Sequence, residues 1–148
     1  QLVSEVLVRH VDGSVLLMQR SEDKAMFPGL FVAGAGGSAL KEEGPYEAAV
    51  RELKEETGIE ARELEQIYFC RSKDTLYYGY LCITGWDKKA VVLQAGETIS
   101  FLWITAREFL EFVESEKYVW TQRERMEGYL DGVRTEEDND CDFLYREF

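Results

Sequence analysis

GGSALKEEGPYEAAVRELKEETGI, residues 36–59, carries Glu52, Glu55 and Glu56 in one short run and is bracketed by glycines at both ends. On a helix, positions i, i+3 and i+4 share a face, so the three carboxylates repel one another. Such a cluster is tolerated when it is solvated, or when a cation sits in it. Pro45 suits the first helical position behind Gly44 as N-cap, and Gly58 suits the residue just past the end. That predicts a helix of about 13 residues, roughly 20 Å long. Around its circumference, Tyr46, Ala49, Val50, Leu53 and Thr57 form a stripe for packing on a sheet. Glu52, Glu55 and Glu56 gather on a second side with Ala48 beside them, and Glu47, Arg51 and Lys54 fill the remaining arc. Arg51 stands one turn before Glu55 and can brace it.

Outward from this helix the chain alternates strands and turns. Leu2 to His10 reads as a strand, Asp12-Gly13 as a tight hairpin turn, and Val15 to Gln19 as the returning strand. Residues 20–29 are turn-like and close on Pro28-Gly29. Leu30 to Ala33 is a short strand that enters the glycine-rich turn at residues 34–37. Ile67 to Arg71 and Leu76 to Thr84 are strands joined at Lys73-Asp74. Residues 85–98 form a loop, and Ile99 to Ile104 is a further strand. Ala106 to Val113 is an amphipathic helix, and a last helix covers Val119 to Leu130. The pattern predicts an α/β (α+β) fold with helices on both faces of a mixed sheet.

With 148 residues, 45% of them hydrophobic, the chain suits a single domain over residues 1–148. Its core spans about residues 1–130, and an acidic, aromatic segment follows at 131–148. There is no apolar run long enough to span a membrane and no signal-peptide pattern. The first residue is Gln1 rather than Met, which leaves room for N-terminal sequence outside the chain. Three widely spaced cysteines, Cys70, Cys82 and Cys141, point to reduced thiols and a cytoplasmic setting. A lone histidine, His10, argues against a histidine metal site. The formal net charge of −12 disfavours nucleic acid as a partner. A small phosphorylated substrate is compatible with it where divalent cations mediate the contact. Glu136, Glu137, Asp138, Asp140 and Asp142 read as a solvated segment.

Gly37, Glu43, Arg51-Glu52-Leu53, Lys54, Glu55-Glu56, Thr57 and Gly58-Ile59, at their spacing, resemble the complete Nudix box. The resemblance covers 23 box residues directly and residues 1 to about 115 more loosely. It implies an α/β/α sandwich and hydrolysis of a pyrophosphate bond in a nucleoside diphosphate linked to another group. It also implies Mg²⁺ or Mn²⁺, held by Glu52, Glu55 and Glu56 with the Gly36 carbonyl as a further ligand. Arg51 supports these carboxylates, Glu43 has a supporting place in the box, and Glu97 is the candidate general base outside it. A non-catalytic sensor of nucleotides or sugar phosphates is the alternative from a different class.

For substrate contacts the candidates are Arg20 and Lys24 for phosphate, with Phe27 and Tyr78 for stacking. Tyr77 and Tyr78 lie slightly beyond the tyrosine position that accompanies dinucleoside polyphosphate hydrolysis. The proline marker of ADP-ribose hydrolysis has no counterpart, since the prolines are Pro28 and Pro45. Gln19-Arg20, Lys24, Phe27-Pro28-Gly29 and the AGAGG turn resemble isopentenyl diphosphate isomerase-like members of the superfamily. Isomerase chemistry needs a cysteine near this turn and a histidine-rich metal site, and residues 21–69 contain neither residue. Many members of the superfamily are dimers. Phe143, Tyr145 and Phe148 offer a segment that docks on the chain's own core or on a homodimer partner.

Overall fold

Two nearly continuous apolar runs build the centre of the molecule: Leu2–His10 is β1 and Val15–Arg20 is β2. A strand covered on both faces has no polar side to show. Val6, Val8, Leu16 and Met18 enter one core, and Leu7, Val15 and Leu17 enter a second on the other face. The computed structural model describes residues 1–146, with side chains through residue 139.

Phe31–Ala33 is β3, Ala35–Ser38 is β4, Glu65–Ser72 is β5, Thr75–Thr84 is β6 and Thr98–Ile104 is β7. The seven strands form one mixed sheet in which β1 runs parallel to β6 and the other pairs are antiparallel. β1 and β2 pair beside their hairpin, at Arg9 and Val15, and then part. β1 continues between β4 and β6, and β2 continues between β3 and β7. Gly34 crosses this fork with φ 65°, its N–H donating to the Leu16 carbonyl at 3.0 Å. A Cβ at Gly34 would collide with the Val6 carbonyl oxygen.

Pro45–Thr57 is α1, Ala106–Phe112 is α2, Trp120–Arg125 is α3 and Glu127–Arg146 is α4. α1 covers the first core with Ala49 and Leu53. Phe109 of α2, Leu130 of α4 and Met126 between α3 and α4 cover the second. The sheet therefore lies between two helical layers, as expected.

Three expectations change. Residues 34–37 are not wholly a turn, because Ala35–Ser38 pairs with Val3–Val6 as β4. Glycine at position 36 permits that approach, since a Cβ there would stand 3.1 Å from the Ser4 carbonyl oxygen. The single helix expected at 119–130 is broken at Met126, where Met126 and Leu130 both turn into the second core. The acidic segment continues α4 as helix, with Glu136 and Asp138 exposed. Cys141, Phe143, Tyr145 and Phe148 lie outside the described side chains. Cys70 and Cys82 are free thiols. Among the described residues, no helix is long and apolar enough to cross a membrane.

Candidate active site

α1 begins and ends where its caps predict. The Gly44 N–H donates to the Glu47 carboxylate at 2.7 Å. At the other end Gly58, at φ 82°, donates its N–H to the Lys54 carbonyl. Ala49, Leu53 and Thr57 are buried as the stripe requires. Tyr46 departs from it at 42% exposed, packing edge-on against Tyr80 while its hydroxyl accepts from the Leu64 N–H.

Docked this way, α1 turns Glu52 and Glu56 towards β4. The Glu52 carboxylate occupies the space beside Gly37, where a Cβ would stand 2.5 Å from it. The Gly36 N–H reaches Glu56 Oε2 at 3.4 Å. Arg51 braces more than Glu55. Its guanidinium donates to Glu52 at 2.9 Å, to Glu55 at 3.1 Å, to both Glu43 oxygens at 2.9 Å and to the Ser38 carbonyl at 3.1 Å. These bonds, with the Leu40 N–H, hold the Glu43 carboxyl down to about 2. Glu56 moves the other way, to about 8, chiefly through burial and then through the charge of Glu52.

A buried carboxyl beside a second one retains its proton unless a cation replaces it. Together with the backbone oxygen of Gly36, this all-oxygen donor set fits a hard divalent ion such as Mg²⁺, which keeps several waters. Among the described residues, no three carboxylates converge on one point. Glu55 is the outlier, its carboxylate drawn outward to Arg51 and 45% exposed.

Glu56, Gly36 and Gly37 form one side of a cavity of about 450 Å³. Arg20, Lys24, Glu97 and Thr98 form another side. Lys24 Nζ lies 2.6 Å from Glu97 Oε2, so the candidate base is ion-paired to a candidate phosphate ligand. Arg20 donates to the Met26 carbonyl at 2.7 and 3.1 Å and to the Phe27 carbonyl at 3.2 Å. These bonds hold Phe27 at φ 52°, a strained left-handed conformation at the rim. Phe27 itself packs edge-on to Trp120, and Met26 takes its place in the cavity wall. Tyr78 is not part of the cavity. It pairs with Ser4 on the α1 side of the sheet, beside Phe69 and the first core. Tyr77, one residue earlier, points to the opposite side and lines the cavity.

The remaining wall was not anticipated. Glu5, a buried acid on β1, accepts from Arg125 Nε at 2.8 Å and Nη2 at 2.7 Å, and from the Tyr68 hydroxyl at 2.7 Å. The Arg125 guanidinium lies 4.1 Å from the Tyr77 ring centre. Gln122 joins the network: its Oε1 accepts from the Ala33 N–H at 3.0 Å and from the Tyr118 hydroxyl. The sequence offered one hint, a lone acid inside the apolar run of β1, but its partner lies 120 residues away.

Comparison with known proteins places the fold in a family. Residues 3–127 match the family described as "NUDIX domain". The uncharacterized Nudix hydrolase YfcD of Escherichia coli is 32% identical over 108 residues, 70% of this chain and 58% of its own length. The chain spans between 34% and 58% of the length of the curated relatives it matches. The crystal structure of a MutT protein from Methanosarcina mazei superposes with a TM-score of 0.66 at 22% identity, covering 92% of this chain and 94% of that one. The NUDIX domain of Shewanella oneidensis NrtR, complexed with ADP ribose, superposes with a TM-score of 0.63 at 20% identity, covering 75% and 76%.

Proposed function

This chain belongs to the NUDIX domain family, and we propose that it is a divalent-metal-dependent hydrolase of a pyrophosphate bond in a nucleotide-type substrate. The observation that carries this reading is Glu56, held beside Glu52 facing β4, where partial burial and the neighbouring carboxylate make its charge costly without a further cation. Glu52, Glu56 and the Gly36 carbonyl would hold Mg²⁺ or Mn²⁺, and Glu55 would join them by leaving Arg51. When bound, such an ion polarises phosphate oxygens and acidifies a water.

The other steps belong to the chain itself. Arg51 fixes the carboxylates and keeps Glu43 ionised at the helix entrance. Arg20, whose donors go to carbonyl oxygens, has no carboxylate partner among the described residues. It therefore keeps a net charge for the substrate phosphates. A phosphate that draws Lys24 away from Glu97 leaves that carboxylate free to accept a proton from water as general base. A cavity of about 450 Å³ suits a small phosphorylated molecule. No cysteine or histidine lines it among the described residues, so the lining supplies neither the cysteine nor the histidine-rich metal site of isomerase chemistry.

Arg51's hold on both Glu52 and Glu55 favours a second reading, a binding module that recognises a nucleotide without turnover. Phosphate release across nucleoside triphosphates, nucleotide sugars, dinucleoside polyphosphates and coenzyme A, with Mg²⁺ and with Mn²⁺, separates the two. Turnover of at least one member that stops in excess chelator is expected. Clear binding of a member with turnover of none would replace the hydrolase by the sensor.

A further inference from the structure

A second cavity, of about 810 Å³, opens at the other end of β6. That strand lines the first cavity with Thr75 and Tyr77 and this one with Cys82, Ile83 and Thr84, and the two share no lining residue. We propose that the second cavity is a binding site for a small monoanion with an apolar body, of the arylalkyl carboxylate class, held by Arg62 and the Trp86 indole. Its walls are apolar where the body would lie. Val11 and Ile83 are 70% and 51% exposed there, and Ala61 and Trp86 pack beside them against the first core. Burial raises the Cys82 thiol to about 11, so it stays neutral and presents only sulfur. Covering these surfaces removes apolar area from water, which favours an apolar body.

Charge sets the head group. Glu60, Arg62 and Asp87 are the charged side chains of the lining. Glu60 is ion-paired with Lys54 at 3.2 Å, and the Asp87 carboxylate turns back to accept from the Lys89 N–H at 3.0 Å. Arg62 has neither an ion-pair nor a hydrogen-bond partner among the described residues. One unspent guanidinium matches one negative charge and offers a carboxylate paired donors. The second charge of a phosphate monoester would face Glu60 and Asp87 instead, so the site suits a carboxylate and not a nucleotide.

Trp86 supports the same polarity independently. Its backbone is fully used: the N–H donates to Thr84 Oγ1 and the carbonyl accepts from His10 Nε2, both at 3.0 Å. Its indole Nε1–H is buried with no hydrogen-bond partner, whereas that of Trp103 donates to the Lys88 carbonyl at 3.1 Å. An indole N–H only donates, and a buried donor left unpaired is costly. A carboxylate that enters as far as the indole edge would complete this bond. Both unspent groups, Arg62 and Trp86, therefore call for an acceptor.

The test is a titration of the nitrogen-15-labelled full chain with 3-phenylpropionate and with uncharged 3-phenylpropanamide, read from the indole N–H resonances of its three tryptophans. Trp86→Phe keeps an aromatic ring and identifies the Trp86 resonance by its loss. Arg62→Gln removes the charge at an exposed position, where folding does not depend on it. In the wild type, 3-phenylpropionate is expected to move the Trp86 resonance saturably, with a Kd of about 1 mM or tighter. The Trp103 and Trp120 resonances should stay in place. The amide should bind about fivefold weaker, and in Arg62→Gln that difference should fall below about twofold. Three results would each overturn the site: no saturable movement of the Trp86 resonance, equal movement of Trp120 beside the rim residue Phe27, or an unchanged carboxylate preference in Arg62→Gln. Pyrophosphate cleavage is not read in this titration, so the hydrolase reading stands or falls separately.

Discussion

Gly37 and Glu52 show how closely the site is built at the scale of single residues. A methyl group at position 37 would stand 2.5 Å from the Glu52 carboxylate. The carboxylate is the free end of a flexible side chain, so it can swing aside at small cost to folding, but it then leaves its place. Gly37→Ala should therefore lower kcat/KM by about tenfold or more, a loss of about 1.4 kcal/mol in barrier lowering, with the melting temperature changed by only a few degrees. Steady-state kinetics beside thermal unfolding checks the split. Helical spacing groups Glu52, Glu55 and Glu56 and sets Arg51 one turn before Glu55 without knowledge of the fold, whereas the further bonds of Arg51 to Glu52 and Glu43 show only in the structure. Tyr77 and Tyr78 were not separable in this way. Adjacent strand residues face opposite sides, and only the register with Val3 and Ser4 shows which tyrosine meets the cavity.

Among the elements, the crossing from β3 to β4 and the tie between α3 and β1 are each closely fitted. Gly34 has φ 65° and abuts the Val6 carbonyl, whereas Gly13 has φ 96° with open space around it. Gly13→Ala should cost about 1 kcal/mol from backbone strain alone. Gly34→Ala must also move a backbone, so it should cost several-fold more or prevent folding. Urea denaturation of the pair measures the difference, and equal costs would show that the fork is not tightly closed. Arg125→Ala leaves Glu5 buried and unpaired, a loss of about 3–5 kcal/mol, while Glu5→Gln/Arg125→Gln should lose clearly less. Strand and helix positions were largely readable from apolar periodicity. β4 was hidden because AGGS has the composition of a turn, and its pairing rests on how closely glycine lets it approach β1. The break at Met126 was hidden because it answers to burial in the second core rather than to any local stop signal.

At the scale of the whole molecule, the acidic centre should make stability depend on pH and on metal together. The carboxyl of Glu56 titrates at about 8 in the fold against an ordinary 4.5. The folded chain thus holds a proton that the unfolded chain has lost. Stability from this group is full below about pH 4.5 and is lost as pH rises towards 8. Without divalent metal, the melting temperature should fall between pH 5 and pH 8, and Glu56→Gln should flatten that fall. Excess Mg²⁺ should restore the wild type at pH 8 by replacing the proton. A flat wild-type profile would show that Glu56 is not strained by its neighbours. The central claim, that the α1 carboxylates facing β4 hold metal for cleavage of a pyrophosphate bond, is tested most directly by phosphate release in Mg²⁺. The comparison is wild type against Glu52→Gln on the best substrate of the panel. The expected result is a rate lower by about 100-fold or more in the variant, and none for the wild type in excess chelator. A variant within about tenfold of wild type, or full turnover in chelator, would contradict it.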